Sequence, residues 1–233
     1  MSLVIDDTLL REPNLLIPGR KPVGPVRTTR DAALTLLPQG RGFADASAYY
    51  PGTNTDADGG SVRFTAANAS SVALPDIGDL LSDIDVFTAV CRCYIKYSGT
   101  NQLIWGAVNS DGFGDNAEVF ELGTDGSDEV FFFFATAGTK FVRYTLPEGW
   151  HTLVGRKSGT ALAQLWVDGV LAAEETSVGS GDATGTHHYL GRPFAASRYF
   201  NDRIAFAQLF NEDVGENAAK TLSRDPYQFL VPA

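Results

Sequence analysis

Hydrophobic and polar positions alternate with a period of two along most of this chain. The clearest stretch is residues 150–171, WHTLVGRKSGTALAQLWVDGVL. Residues 150–156 are rich in aromatic, β-branched and apolar side chains, which suit a pleated strand. Lys157-Ser158-Gly159 follows as a turn signal. Leu162, Gln164 and Trp166 then alternate with Ala163, Leu165 and Val167, so Trp166 faces away from Leu165 and Val167. Asp168-Gly169 between apolar runs predicts a tight hairpin, because a type I′ turn needs positive φ at both central residues. Val170 and Leu171 open the return strand.

The same period recurs upstream. Over 87–97, Phe87, Ala89, Cys91, Cys93, Ile95 and Tyr97 make one apolar face; Thr88, Arg92 and Lys96 lie on the other, with Val90 and Tyr94 among them. Further strands are predicted over 31–39, 61–65, 71–74, 102–108, 117–122, 129–135 and 140–146. The run Phe131-Phe132-Phe133-Phe134 reads as a strand buried on both faces, since consecutive side chains point to opposite sides. Residues 44–60 read as a loop and 77–81 as a helical turn. One short helix is predicted over about 215–223, with Asp213 as its cap. Turn signals recur about every 8–12 residues, the spacing of a sandwich or barrel. The pattern predicts an all-β, two-sheet antiparallel sandwich over 31–233.

Residues 1–30 break the pattern. Pro13, Pro18, Pro22 and Pro25 each fix φ and remove a donor, which excludes a helix or a central strand. The segment holds five basic residues (Arg11, Arg20, Lys21, Arg27, Arg30) and three acidic ones (Asp6, Asp7, Glu12), a net of +2. With −10 for the whole chain, the remainder carries −12. This is an extended basic arm on an acidic body, and Leu15, Leu16 and Ile17 are too apolar for an idle linker.

The negative charge argues against nonspecific binding to a nucleic acid backbone. Cys91 and Cys93 are two apart on one strand face, a poor geometry for a disulfide, and read as small buried hydrophobes. The N-terminus lacks a basic n-region and an apolar h-region, so no signal peptide is expected. No apolar run has the roughly 18 residues needed to span a membrane.

Catalytic patterns are missing. A sandwich glucanase presents paired carboxylates, about 5 Å apart for retention, from an E-x-D-x-x-E strand. Asp83-Ile84-Asp85 lacks the outer glutamates, Glu118 and Glu121 face opposite sides, and Glu174-Glu175 sits at a strand end. His151, His187 and His188 are not accompanied by a nucleophile elbow, and neither a phosphate-binding loop nor a dinucleotide fingerprint occurs. No enzymatic role is expected. Two kinds of binding site remain candidates. Asp111, Asp115 and Asn116 in a Gly-rich loop, and Asp56 and Asp58 in another, have the hard oxygens that suit calcium; the same residues make ordinary turns. Trp105, Trp166, Tyr199 and Asn201 are the aromatics and amide a glycan would meet; the tryptophans equally suit packing under loops.

Several motifs carry a resemblance. The opening Trp150-His151, the alternating strand and Trp166-Val167-Asp168-Gly169-Val170 resemble laminin-G-like, concanavalin-A-like domains. Tyr189-Leu190-Gly191-Arg192 is similar to that family's strand-ending LG step. Phe200-Asn201-Asp202-Arg203-Ile204 is similar to its F-x-G-x-I start, with Asp202 where the family usually has Gly. Residues 211–226 resemble its terminal loop and short helix. The resemblance spans 87–229 and implies a jelly-roll sandwich, while saying little of the ligand. The arm, N-L-L-I-P-G-R-K-P-V-G-P-V over 14–26, resembles the start of tailed-phage and prophage structural proteins, whose chains also end in a motif similar to Pro226-Tyr227-Gln228-Phe229.

The resemblance therefore implies a virion protein, on capsid or tail. Its arm (Leu15, Leu16, Ile17, Arg20, Lys21, Val23, Val26) would anchor it to other virion subunits, with copies of itself as further partners. Its sandwich would be displayed, decorating the particle or meeting host surface glycan. A free lectin-like module is the alternative, and a glycan hydrolase the third reading.

Overall fold

The computed structural model describes residues 26–28, 32–45, 48–108, 118–134, 140–180, 187–192, 198–227 and 230–232. Of the arm, only Val26–Thr28 falls among them. The strands of the first half are β1 (Val26–Thr28), β2 (Ala32–Gln39), β3 (Gly42–Ala44), β4 (Tyr49–Tyr50), β5 (Gly52–Thr53), β6 (Asp56–Asp58), β7 (Ser61–Arg63), β8 (Ser71–Ala73), β9 (Val86–Ile95) and β10 (Gln102–Val108). Those of the second half are β11 (Glu118–Thr124), β12 (Glu129–Phe134), β13 (Lys140–Thr145), β14 (Gly149–Ser158), β15 (Leu162–Val167), β16 (Val170–Thr176), β17 (His187–Leu190), β18 (Arg203–Phe210) and β19 (Leu230–Pro232). The α-helices among the described residues are α1 (Ile77–Leu80) and α2 (Glu216–Arg224).

Two antiparallel sheets make the expected sandwich. One runs β13-β12-β11-β10-β17-β8-β5; the other is ordered β16-β15-β14-β9-β18-β2-β3-β4, with β7 on β18 and β6 on β7. The segment 44–60, expected as a loop, instead contributes β4, β5 and β6 to the sheet edges. Its polar, Gly-rich sequence hides them: β5 lies on β8, and β6 folds back onto β7 as a short hairpin across Gly59-Gly60. Residues 26–28, read as part of an extended arm, pair with Leu230–Pro232 in a small separate ribbon.

The core lies between the sheets and follows the alternation. Phe87, Ala89, Cys91, Cys93 and Ile95 of β9 meet Phe120 and Leu122 of β11 and Phe132 and Phe134 of β12, all fully buried. Both cysteines are free. Gly155 of β14 admits the ring of Phe132 from the opposite sheet, since a Cβ there would lie 2.5 Å from Phe132 Cδ2. All four consecutive phenylalanines are at most 2% exposed, the outcome the FFFF run predicts.

A second, smaller core lies on the outer face of the larger sheet. Val90, Val154, Trp166, Phe206 and Phe210 pack there under Ala219 and Leu222 of α2, while Leu165 and Val167 face the main core. An ion pair pins this layer. Arg156 Nε and Nη2 donate to the two carboxylate oxygens of Asp213 at 2.7 and 2.6 Å, and Asp213 also accepts from Gly215 N–H at 2.9 Å. The cap of α2 is Gly215 and not the expected Asp213, which lies two residues earlier and accepts from the N–H of Gly215. Tyr227 stacks edge-to-face on Phe206 with ring centroids 5.2 Å apart. That contact gives the closing Pro226-Tyr227 motif its packing role.

Candidate functional site

The alternation that buries Phe120, Leu122, Phe132 and Phe134 turns their neighbours to the outer face of the seven-stranded sheet. Across five strands the register sets Tyr189, Gly106, Glu121, Phe133 and Phe141 in one row. A parallel row holds Leu103, Gly123, Phe131 and Arg143. This face is thus aromatic and glycine-rich, with the Glu121 carboxylate at its centre. Glu121 is fully buried there.

Its partner comes from far along the chain. Arg198 Nη1 and Nη2 each lie 3.4 Å from a Glu121 carboxylate oxygen, a fork-to-fork pair. The Glu121 side chain is 0% exposed and that of Arg198 11%, so the arginine is the member that reaches the surface. Burial raises the Glu121 pKa above the usual carboxylate value, and the Arg198 guanidinium works against that rise. Tyr189, in register with Glu121 through Gly106, and Tyr199, next to Arg198 in the chain and bridged to Leu103, are half-buried. The Arg192 guanidinium lies 5.4 Å from the Tyr189 ring centroid. At the far end of the row, Phe133 and Phe141 pack with centroids 4.7 Å apart.

Backbone contacts fix where Arg198 stands. Leu103 N–H donates to Arg198 C=O at 2.8 Å, Gly191 N–H to Ile104 C=O at 2.8 Å, and Phe200 N–H to Gly191 C=O at 3.0 Å. Leu103 and Tyr199 form a parallel bridge. Gly191 has φ +76°, and a Cβ on it would meet the Phe64 ring at 2.2 Å. The LG step therefore needs its glycine for both reasons.

The residues expected to meet a glycan are not brought together. Trp105 faces the inter-sheet core at 0% exposure and donates its indole N–H to His188. Trp166 is buried under α2 and donates to Gln164 Oε1 at 3.0 Å. Neither offers a ring face to a ligand, which corrects that expectation: alternation tells which residues share a face, not which face is covered. Asn201 is exposed, but its Oδ1 accepts from Ala66 N–H at 3.1 Å and its N–H donates to Gln102 Oε1 at 2.9 Å; it staples loops. Tyr199 alone of the four adjoins the Arg198 face. Sequence reading weighed Glu121 only as a catalytic carboxylate and Tyr189 only within the LG step; it did not join them to Arg198, because 77 residues separate the ion-paired partners and only the folded sheet brings them together.

Asp111, Asp115 and Asn116 lie outside the described residues. Asp56 and Asp58, the other acidic pair, lie in β6 and face Arg41 at 3.5 Å and Arg63 at 3.0 Å. Among the described residues no cluster of three His, Cys, Asp or Glu is arranged to hold a metal ion. Leu15, Leu16, Ile17, Arg20, Lys21 and Val23 of the arm also lie outside the described residues.

No family model matches the sequence, and no curated protein matches it. Solved structures do resemble the fold. The Ruminococcus gnavus IT-sialidase CBM40, bound to alpha2,3 sialyllactose, aligns with TM-score 0.58 at 11% identity, covering 70% of this chain and 96% of that one. Domain 4 of AbnA, a GH43 extracellular arabinanase from Geobacillus stearothermophilus, in complex with arabinotriose, aligns with TM-score 0.60 at 15% identity, covering 79% and 93%. The Trypanosoma rangeli sialidase aligns with TM-score 0.63 at 17% identity, covering 84% of this chain but 33% of its own. At these identities the likeness is one of fold.

Proposed function

We propose that this protein is a non-catalytic glycan-binding protein whose ligand sits on the outer face of the seven-stranded sheet, at Arg198. The observation that carries the reading is the Glu121–Arg198 pair. A buried ion pair is a poor stabiliser, because desolvating both charges offsets their attraction. Its place at the centre of an aromatic face gives it another use. Glu121 holds the guanidinium, and Arg198 presents donors to sugar hydroxyls or a sugar carboxylate. Tyr189 and Tyr199 offer ring surface beside it, the mixture of apolar wall and few fixed polar groups that ligand sites use. Two neighbours of this fold, the CBM40 with alpha2,3 sialyllactose and domain 4 of AbnA with arabinotriose, were solved with bound sugars and align over nearly their whole length.

The apolar and basic segment 11–30 attaches the sandwich to a larger assembly, a virion by its resemblance to tailed-phage structural proteins, and leaves the glycan face displayed.

A glycan array tests the binding. The wild-type protein binds a defined set of oligosaccharides, Arg198→Gln and Tyr189→Ala lose them, and no reducing sugar is released. An array blank for the wild type, or one unchanged by both substitutions, removes the reading.

A further inference from the structure

The outer face of the larger sheet is divided. α2 covers the part around Val90, Val154 and Trp166. Beyond it Arg92, Tyr94, Trp150 and Arg203 stand together, each half-buried. Tyr94 and Trp150 are direct partners across β9 and β14. Their rings meet edge to face, with centroids 5.7 Å apart at 88°. The Arg203 guanidinium lies 4.6 Å from the Tyr94 centroid and 5.2 Å from that of Trp150. The Arg92 guanidinium lies 5.7 Å from the Trp150 centroid.

The two arginines differ in how their charge is met. Arg203 has Asp202 at 3.2 Å and Asp58 at 4.0 Å. Arg92 donates from Nη1 to the neutral Thr152 hydroxyl at 3.0 Å. No carboxylate among the described residues pairs with Arg92. A half-buried guanidinium without a counter-charge is costly in itself, and it stands here in a chain of net charge −10.

We propose that this cluster is a second binding site, separate from Arg198, for the carboxylate of an acidic sugar of the uronic acid type. The planar guanidinium of Arg92 takes a carboxylate through two parallel charge-assisted bonds. Arg203, anchored by its two aspartates, adds a donor from the neighbouring strand. The Trp150–Tyr94 pair supplies apolar surface for the C–H face of the sugar ring, a contact that an inorganic anion leaves unused.

The intrinsic fluorescence of the full chain provides the test. Of the three tryptophans, Trp105 and Trp166 are 0% and 7% exposed, so Trp150 is the reporter a surface ligand reaches. Glucuronate is expected to change the emission saturably. The change disappears in Trp150→Phe and persists in Glu121→Gln and Arg198→Gln, which sets this site apart from the one above. Arg92→Gln weakens glucuronate by about tenfold or more, the loss expected for one charge-assisted fork, and Arg203→Gln weakens it less. Methyl glucoside, which has no carboxylate, produces no change. No response in the wild type overturns the proposal, as does affinity unaltered in both arginine variants. Inorganic phosphate binding as tightly as glucuronate overturns the sugar assignment, and loss of the response in Arg198→Gln moves it to the other face.

Discussion

The indole N–H of Trp105 donates to Nε2 of His188 at 2.7 Å in the interior of the sandwich. The other ring nitrogen, Nδ1, lies 2.8 Å from the carbonyl oxygen of Pro75. A carbonyl only accepts and an indole N–H only donates, so His188 is neutral with its proton on Nδ1. His188 is 1% exposed, so a charged imidazole would be cut off from water there. Burial lowers the His188 pKa from 6.5 to about 4.

That pKa fixes a pH dependence. The unfolded chain binds the His188 proton below about 6.5, and the folded chain does so only below about 4. The unfolded state therefore holds more protons across this window, and stability falls as the pH drops through it. The loss attributable to His188 is about 3 kcal/mol by pH 4. Urea titrations at a series of pH values measure it, and His188→Gln flattens the slope between those limits.

Gly191→Ala has two expected effects. The added methyl meets the Phe64 ring at 2.2 Å, and φ +76° disfavours any L side chain. The combined cost is about 2 kcal/mol or more. Because Gly191 holds Phe200 and Ile104 in place, the segment bearing Arg198 shifts and glycan affinity falls with stability. Thermal melts and binding isotherms on the same samples read both.

Asp213→Ala removes two charge-assisted hydrogen bonds from the Arg156 guanidinium, whose side chain is 5% exposed and which keeps Gln164 and, at 3.8 Å, Glu216. The loss is about 2 kcal/mol. The loss falls on α2, so its amides exchange faster with deuterium while those of β11 and β12 keep their protection.

At the hairpin, Asp168 and Gly169 have φ +48° and +88°, the conformation that the Asp-Gly signal predicts. Gly169 N–H donates to Ser223 Oγ at 2.9 Å, tying the turn to α2. Gly169→Val costs about 1–2 kcal/mol from backbone conformation alone, and more as Arg224, 2.1 Å from the added Cβ, moves aside. A lowered melting temperature with unchanged glycan binding is the expected outcome.

These residues also mark what could be read from the chain. Strands β10 and β15 fall where the alternation places them, and Trp166 does face away from Leu165 and Val167, because local period decides face. Helix α2 was legible from its position after Asp213, though its Gly215 start makes a weak signal. The site was not legible. Glu121 and Arg198 meet through β10, and Gly106 joins Tyr189 to Glu121 only once the strands are in register. Trp105 and Trp166, the most conspicuous aromatics, are buried by layers that no local pattern reveals.

The central claim is that a glycan occupies the outer face of the seven-stranded sheet at Arg198. Backbone amide chemical-shift mapping of the full chain, titrated with an oligosaccharide bound on the array, tests it most directly. The account predicts shifts concentrated at residues 104–106, 120–123, 189–192 and 198–201, with the Asp168–Gly169 hairpin and α2 unmoved, and no such shifts in Arg198→Gln. Shifts centred on any other surface, with residues 120–123 and 198–201 silent, would contradict it.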